Sequence, residues 1–299
     1  MKMKLRIFLL ILLFASKSLI SQPIPTEVKS TVAFIYLLNQ KGEFEANGTG
    51  FFIGVRKTST DSVYYVNFVT AKHVLKPDEN NKEFYKTVFV RLNKIDGEAE
   101  YLRLDLYPDG KNKNVYTHTD SSVDIAVIPA LPDQKIYDYK YMTDDFITTK
   151  DNFNELKIRE GSNVFFTGMF VPFTGEHKNY PIVRFGKVAL ITEEKIMWDS
   201  IKTDLYLIES SSYGGNSGSP VFFYLGAERE AGSIYVGDPV LKLAGIMKGS
   251  FNDIKPIKAV DTKVIPVSIS NMGISAVVPA YRLYEILYGV EMKQYRNRQ

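Results

Sequence analysis

Residues 214–220 read Gly-Gly-Asn-Ser-Gly-Ser-Pro, and this stretch decides how the rest of the 299-residue chain is interpreted. Glycines on both sides of Ser217 let the main chain bend sharply and leave little bulk in front of the hydroxyl. A nucleophilic serine needs that access, and the oxyanion formed by its attack needs converging main-chain N–H groups. The stretch therefore suggests a nucleophile, with a plain glycine-rich turn as the alternative.

A serine hydroxyl needs a base, and the chain has only three histidines. His118 and His177 lie in polar segments typical of surface loops. His73 instead follows a β-prone run that ends in Ala71, and Val74-Leu75 come next. The pattern places one imidazole at the end of a buried strand. The alternative is a structural histidine whose hydrogen bonds are satisfied.

Asp124 is the candidate carboxylate, because it opens the apolar run 125–128. An aspartate in that position is often a turn or strand-edge residue. The apolar residues that follow it nevertheless predict a side chain at the margin of a core. There it could accept a hydrogen bond from an imidazole.

Three blocks now suggest a family. Residues 70–74 (Thr-Ala-Lys-His-Val), 124–127 (Asp-Ile-Ala-Val) and 215–220 (Gly-Asn-Ser-Gly-Ser-Pro) resemble the His, Asp and Ser blocks of trypsin-like (chymotrypsin-fold) serine peptidases, in that family's chain order. The resemblance runs from about residue 31 to residue 288. It is strongest toward cysteine-free bacterial branches, the HtrA/Deg-like proteases and the V8-like glutamyl endopeptidases.

The resemblance implies a role for each residue. His73 would be the general base, Asp124 would orient it, and Ser217 would be the nucleophile. The N–H groups of Gly215 and Ser217 would form the oxyanion hole. Ser219 is a rival nucleophile on spacing alone, but the family pattern places the nucleophile two residues earlier.

The fold expected from the resemblance is all-β, with two antiparallel six-stranded β-barrels and a C-terminal helix. The boundaries we expect are 1–21 for a signal peptide, 28–130 for a first barrel carrying His73 and Asp124, 131–158 for a linker, and 159–290 for a second barrel carrying Ser217. Apolar residues at helical spacing predict the closing helix over 279–288. The polar stretch 250–261 is interpreted as a surface insertion.

The N-terminus predicts export. Three basic residues precede an apolar core at 7–14 that is too short to cross a bilayer, which is typical of a secretory signal peptide. Four of the 37 Lys and Arg residues lie in 1–21, so the rest of the chain is near neutral against 34 acidic residues. We therefore expect a periplasmic or secreted protein with a polypeptide substrate, no nucleic-acid partner and no membrane anchor after cleavage. No pattern indicates an oligomeric state.

No cofactor or metal is predicted. The chain lacks cysteine, an HExxH motif and any histidine pair at metal-ligand spacing. The glycine-rich stretch 214–218 also lacks the lysine and the spacing of a phosphate-binding loop.

For substrate binding, the resemblance points to Ser211, Met247 and Lys248. Ser211, six residues before the nucleophile, is uncharged, which disfavours a basic side chain before the cut. Met247 stands where glutamyl endopeptidases carry a histidine, which argues against strict Glu specificity. Lys248 could attract an acidic side chain; the alternative is a solvated strand-edge lysine.

These residues predict an exported serine endopeptidase that works through an acyl-enzyme. Two alternatives remain: a catalytically silent protease-fold protein that binds peptides, and an esterase that uses the same three side chains.

Overall fold

The computed structural model describes residues 24–58, 62–78, 83–227, 229–230, 232–256 and 267–298. The predicted signal peptide lies outside the described residues. Within them the chain is mainly antiparallel β-sheet with short helices, and the prediction of an all-β, chymotrypsin-like fold with a closing helix is confirmed. No helix of the described part is long and apolar enough to cross a membrane.

The first half of the chain forms one sheet. Its elements are α1 (Glu27–Ser30), β1 (Val32–Leu38), β2 (Phe44–Arg56), β3 (Tyr64–Thr70), a 3-10 turn (Lys72–Leu75), β4 (Thr87–Asn93), β5 (Ala99–Asp105), β6 (Tyr116–Thr117), β7 (Ala126–Pro129), β8 (Met142–Thr143) and a second 3-10 turn (Asp144–Phe146). The strand order is β5-β4-β1-β2-β3-β7-β6, with β8 parallel to β2. Among the described residues no pairing joins β5 to β6, so the hydrogen bonds of this half do not close a ring.

The second half forms a closed barrel in the order β10-β13-β16-β15-β14-β9. Its elements are α2 (Lys150–Glu155), β9 (Asn163–Gly168), β10 (Ile182–Leu190), β11 (Ile196–Trp198), β12 (Ile201–Thr203), β13 (Tyr206–Glu209), β14 (Pro220–Leu225), β15 (Val240–Pro256), β16 (Val267–Pro279), α3 (Ala280–Leu287) and α4 (Val290–Arg298). Strands β11 and β12 pair as a separate hairpin outside the barrel.

The cores of both halves are built on phenylalanine. Phe51 and Phe68 are fully buried in the core of the first half, and Phe166 and Phe223 are fully buried in the core of the second. Burying one such ring stabilises the fold by about 2–3 kcal/mol. Since the chain has no cysteine, this packing takes the place of disulfides.

The C-terminal part of the chain departs from the sequence-based expectation in one strand and gains one helix. Strand β15 continues through Pro256 and pairs with β16, so residues 250–256 form a strand rather than a surface insertion; residues 257–261 lie outside the described part. The closing helix begins at Ala280 with Pro279 at its N-cap, as predicted, and α4 follows it. The four domain boundaries stay predictions; the segment 131–158 carries β8 and α2.

Candidate active site

His73 lies on the 3-10 turn that follows β3. Ala71 is extended at the start of the turn, and Val74 and Leu75 are buried beneath it. The two apolar side chains anchor the turn in the first core, so the imidazole is held at the edge of the sheet. Its side chain is 24% exposed.

Asp124 makes two hydrogen bonds with His73, one to the imidazole and one to the main chain. The Oδ2 atom lies 2.7 Å from His73 Nδ1, and Oδ1 accepts the main-chain N–H of His73 at 2.9 Å. The carboxylate sits just before β7, which pairs with β3 and so brings the two residues together. A bond from Nδ1–H to the carboxylate leaves Nε2 as the basic nitrogen of the neutral ring.

A third group reaches the same carboxylate. Lys248 on β15 places Nζ 3.0 Å from Asp124 Oδ2, and both side chains are more than nine-tenths buried. Burial, the largest single effect, disfavours ionisation of Asp124, but the charges of His73 and Lys248 and their hydrogen bonds together hold its pKa well below the ordinary value. An ionised Asp124 therefore stabilises the fold above the pKa of an unfolded aspartate, and this stabilisation is lost as pH falls through the lowered folded value.

The loop before Ser217 presents two main-chain donors. Gly215 has φ +88°, and a β-carbon there would lie 2.7 Å from the Val171 side chain, so the position requires glycine. The N–H groups of Gly215 and Ser217 have no acceptor among the described residues. Asn216 fixes the bend between them, because its buried amide accepts from Tyr213 N–H and donates to Met169 O. Two unused donors beside a serine form an arrangement that can bind an oxyanion.

Thr49, from β2 of the first half, holds this loop from across the interface. Its N–H donates to Ser217 O at 2.9 Å, and its hydroxyl donates to Gly215 O at 2.6 Å. The same hydroxyl accepts the N–H of Met169 at 3.0 Å. One fully buried threonine thus ties the serine loop of one half to the sheet of the other. Sequence reasoning missed it, because a threonine in a glycine-rich strand carries no signal of its partner.

Two glycines let the halves approach closely. A β-carbon on Gly218, which has φ +85°, would lie 2.1 Å from Thr49 O and 3.0 Å from Ala71 N. A β-carbon on Gly48 would contact both the Val74 side chain and Ser217 O. The serine loop therefore packs directly on the segment that carries His73.

The hydroxyl of Ser217 is engaged elsewhere in this arrangement. It donates to Lys248 O at 3.1 Å, and within the described ranges no hydrogen bond joins it to the His73 imidazole. Serine rotates between three staggered positions about χ1. Catalytic hydrogen bonds are also often long or misaligned before substrate binds.

The remaining sequence candidates fall into different places. Ser219 is fully buried against Gly168, which removes it from the surface a substrate could reach. Met247 is fully buried in the core of the second barrel, and Lys248 is buried on Asp124, so neither occupies the substrate-facing place expected from sequence. Ser211 is half-buried beside the serine loop.

A pocket of about 550 Å³ adjoins the serine loop. Its walls are mostly apolar, and they comprise residues 169–172, Arg184, Tyr213, Gly214 and Asn216. Arg184 is the charged residue of this lining, and its guanidinium lies 4.9 Å from the centre of the Tyr213 ring. A positive charge in an apolar wall favours an anionic group of a ligand.

The other two histidines lie outside this cluster. His118 bonds Glu285 on α3 at 2.7 Å, and His177 lies 3.2 Å from Glu98 on the surface. No group of three potential metal ligands occurs in the described ranges.

One family model and several solved structures are similar to this chain. The family described as "Trypsin-like peptidase domain" matches residues 48–226. The apo crystal structure of the MamO protease domain from Magnetospirillum magneticum is similar with a TM-score of 0.48 and 13% sequence identity, covering 87% of this chain and 97% of that chain. An inactive mutant form of Rv3671c from M. tuberculosis is similar with a TM-score of 0.40 and 16% identity, covering 90% of this chain and 95% of that chain. No curated protein matches the sequence.

Proposed function

The chain belongs to the trypsin-like peptidase family, and on that premise we propose that it is an exported serine endopeptidase acting through Ser217, His73 and Asp124. The observation that carries the proposal is that the buried Asp124 carboxylate bonds both the imidazole and the main-chain N–H of His73. A structural histidine needs no such buried, ionised partner at the edge of a cleft. Export is proposed from the pattern in residues 1–21 alone.

In the first step, Ser217 rotates from Lys248 O toward His73 and its Oγ attacks the peptide carbonyl carbon. The hydroxyl proton passes to His73 Nε2, while Asp124 remains a carboxylate and stabilises the imidazolium. The N–H groups of Gly215 and Ser217 bind the negative oxygen of the tetrahedral intermediate. Losing one such donor typically raises the barrier by about 3 kcal/mol.

In the second step, the carbon–nitrogen bond breaks and His73 returns the proton to the leaving amine. Water then attacks the ester on Ser217 with His73 again acting as base. Collapse of the second intermediate releases the carboxylic acid product and restores the Ser217 hydroxyl.

A fluorophosphonate probe tests this proposal directly. We expect the folded, signal-cleaved protein to be labelled at one site, with the adduct mapped to Ser217 by peptide mass spectrometry. Labelling should be lost in Ser217→Ala and strongly reduced in His73→Ala, because the probe reacts only with an activated serine. An adduct on Ser219 instead would contradict the assignment of the nucleophile.

One observation favours a second candidate, a peptide-binding protein that does not cleave. The Ser217 hydroxyl donates to Lys248 O rather than to His73. If this bond persists with ligand, the protein would bind peptides through the same loop and stay unlabelled. A folded sample that binds peptide but resists the probe would support this candidate.

We further propose that the pocket beside the serine loop selects an acidic residue or a terminal carboxylate in the substrate. Lys248 already pairs with Asp124, whereas Arg184 lines the pocket and its guanidinium lies over the ring of Tyr213. A charge-assisted hydrogen bond contributes about 1.5–3 kcal/mol.

Arg184→Gln should therefore lower kcat/KM about tenfold or more for peptides that carry an acid in this segment, and leave neutral peptides unchanged. Cleavage profiles of a peptide library measure the difference. Arg103→Gln is the matched control, because Arg103 is exposed and pairs with Asp105 on β5. An equal loss for acidic and neutral peptides would refute the assignment.

A further inference from the structure

Asp124 Oδ2 is shared by two cationic groups, and this sharing has a chemical consequence. His73 Nδ1 lies 2.7 Å and Lys248 Nζ 3.0 Å from the same oxygen. When the imidazole takes a proton, a second positive charge is already in contact with that oxygen. Like charges at such short range disfavour protonation of the ring.

The contact is enclosed, which strengthens the effect. The Lys248 side chain is 8% exposed, and its Nζ lies 5.3 Å from the centre of the Trp198 ring on β11. Charges that are shielded from water interact more strongly than surface charges. The Lys248 ammonium is therefore shielded from water, unlike that of an exposed lysine at the edge of a strand.

Lys248 also reaches the nucleophile. Its main-chain oxygen accepts the Ser217 hydroxyl at 3.1 Å, while its side chain holds Asp124. A register shift between Met247 and Gly249 in the pairing of β15 with β16 marks this position. At such an irregularity a strand can re-aim a side chain.

Building on the proposed function, we propose that Lys248 is a positioning residue that fixes the Asp124 carboxylate and lowers the pH at which the protein loses its histidine base. Its ammonium provides Asp124 with a partner whether or not His73 is charged. The His73 imidazole then stays neutral, and able to accept a proton, further into the acid range than it would beside Asp124 alone.

Other charges near this group act less directly. Lys72 Nζ donates to the main-chain oxygens of Ser121 and Val123, so its charge faces Asp124 without bonding it. Two further charges interact electrostatically with Lys72: Lys76, which follows the 3-10 turn, and Asp120, which lies in the loop before Asp124. Asp120 itself forms an ion pair with Lys195. Lys248 is the lysine in direct contact with the carboxylate.

The test is a titration of the imidazole itself. The chain has three histidines, so the ring signals of His73 are identified in NMR spectra by their loss in His73→Ala. In Lys248→Met we expect the His73 titration midpoint to rise by about one pH unit or more. Lys248→Arg should titrate close to the wild type, since it restores a charge.

Lys248→Gln keeps a donor without the charge and serves where the methionine variant fails to fold; its midpoint should also rise. Lys242→Met, on the same strand but bonded to Asp145 O, should leave the midpoint unchanged. Equal midpoints in the wild type and in the uncharged variants would overturn the inference.

Activity provides a separate readout. In Lys248→Met and Lys248→Gln, the acid limb of the profile of kcat/KM against pH should move to higher pH together with the His73 midpoint measured by NMR. If the wild type neither cleaves nor reacts with the probe while the midpoints shift as expected, the proposed function fails and the role of Lys248 stands. If the protein cleaves peptides but the His73 midpoints are equal in the wild type and the uncharged variants, the proposed function stands and the role of Lys248 fails.

Discussion

Ser217→Ala is expected to lower kcat for peptide hydrolysis by a factor on the order of 10⁶, His73→Ala by a similar factor, and the double variant by no more than either alone. The reason is that every proton transfer by His73, from the Ser217 hydroxyl, to the leaving amine and from water, serves bond making or breaking at the Ser217 oxygen. Once one member is lost, the other has nothing to act on. Initial rates with a fluorogenic peptide, on samples of matched thermal stability, measure the three losses.

Ser219→Ala is the control for this series, because it removes a neighbouring hydroxyl that is fully buried and unpartnered in the described part of the chain. Its kcat should stay within a few-fold of the wild type. A double variant whose loss equals the product of the two single losses would show that Ser217 and His73 act independently, contrary to the proposed mechanism.

Gly218→Ala is expected to destabilise the protein by about 3 kcal/mol or more and to abolish activity. The residue has φ +85°, which strains any side chain, and the added β-carbon would lie 2.1 Å from Thr49 O and 2.3 Å from Thr70 Oγ1. Main-chain atoms on both sides leave little room to relax. The two halves must therefore separate at the point where they bring Ser217 and His73 together.

Gly161→Ala is the control that measures the cost of a positive φ without a steric clash. Gly161 has a nearly identical φ of +86°, but a β-carbon there has nothing within 4 Å. Urea unfolding should show a loss of about 1–2 kcal/mol for this control and unchanged activity. Equal destabilisation by the two substitutions would mean that the contact with Thr49 and Thr70 is easily relieved.

Much of the fold could be predicted, because the information is local. The β-prone run before His73 forms β3, and the helix predicted over 279–288 is observed as α3, which begins at Ala280. The extension of β15 was missed because residues 250–256 mix polar and apolar types without a strand pattern. They form a strand because the long hairpin with β16 pairs their main chain.

In the candidate site, too, local patterns could be predicted from the sequence and contacts between the two halves could not. His73, Asp124 and the loop at 214–220 could be proposed as site residues because each sits in a recognisable local pattern. The contact of Lys248 with Asp124 could not be predicted, because it follows a register irregularity and joins the two halves of the chain. Thr49 was missed for a related reason: its two hydrogen bonds with the serine loop and its one with Met169 exist only after the halves dock.

The position of Thr49 has a consequence for the timing of activity during synthesis. The first half of the chain emerges from the ribosome with an imidazole and a carboxylate but no nucleophile. The second half has the nucleophile, but the loop around it lacks the threonine that shapes it. Under the proposed mechanism neither half alone carries all three catalytic side chains, so peptide cleavage requires that both halves have been made and have docked.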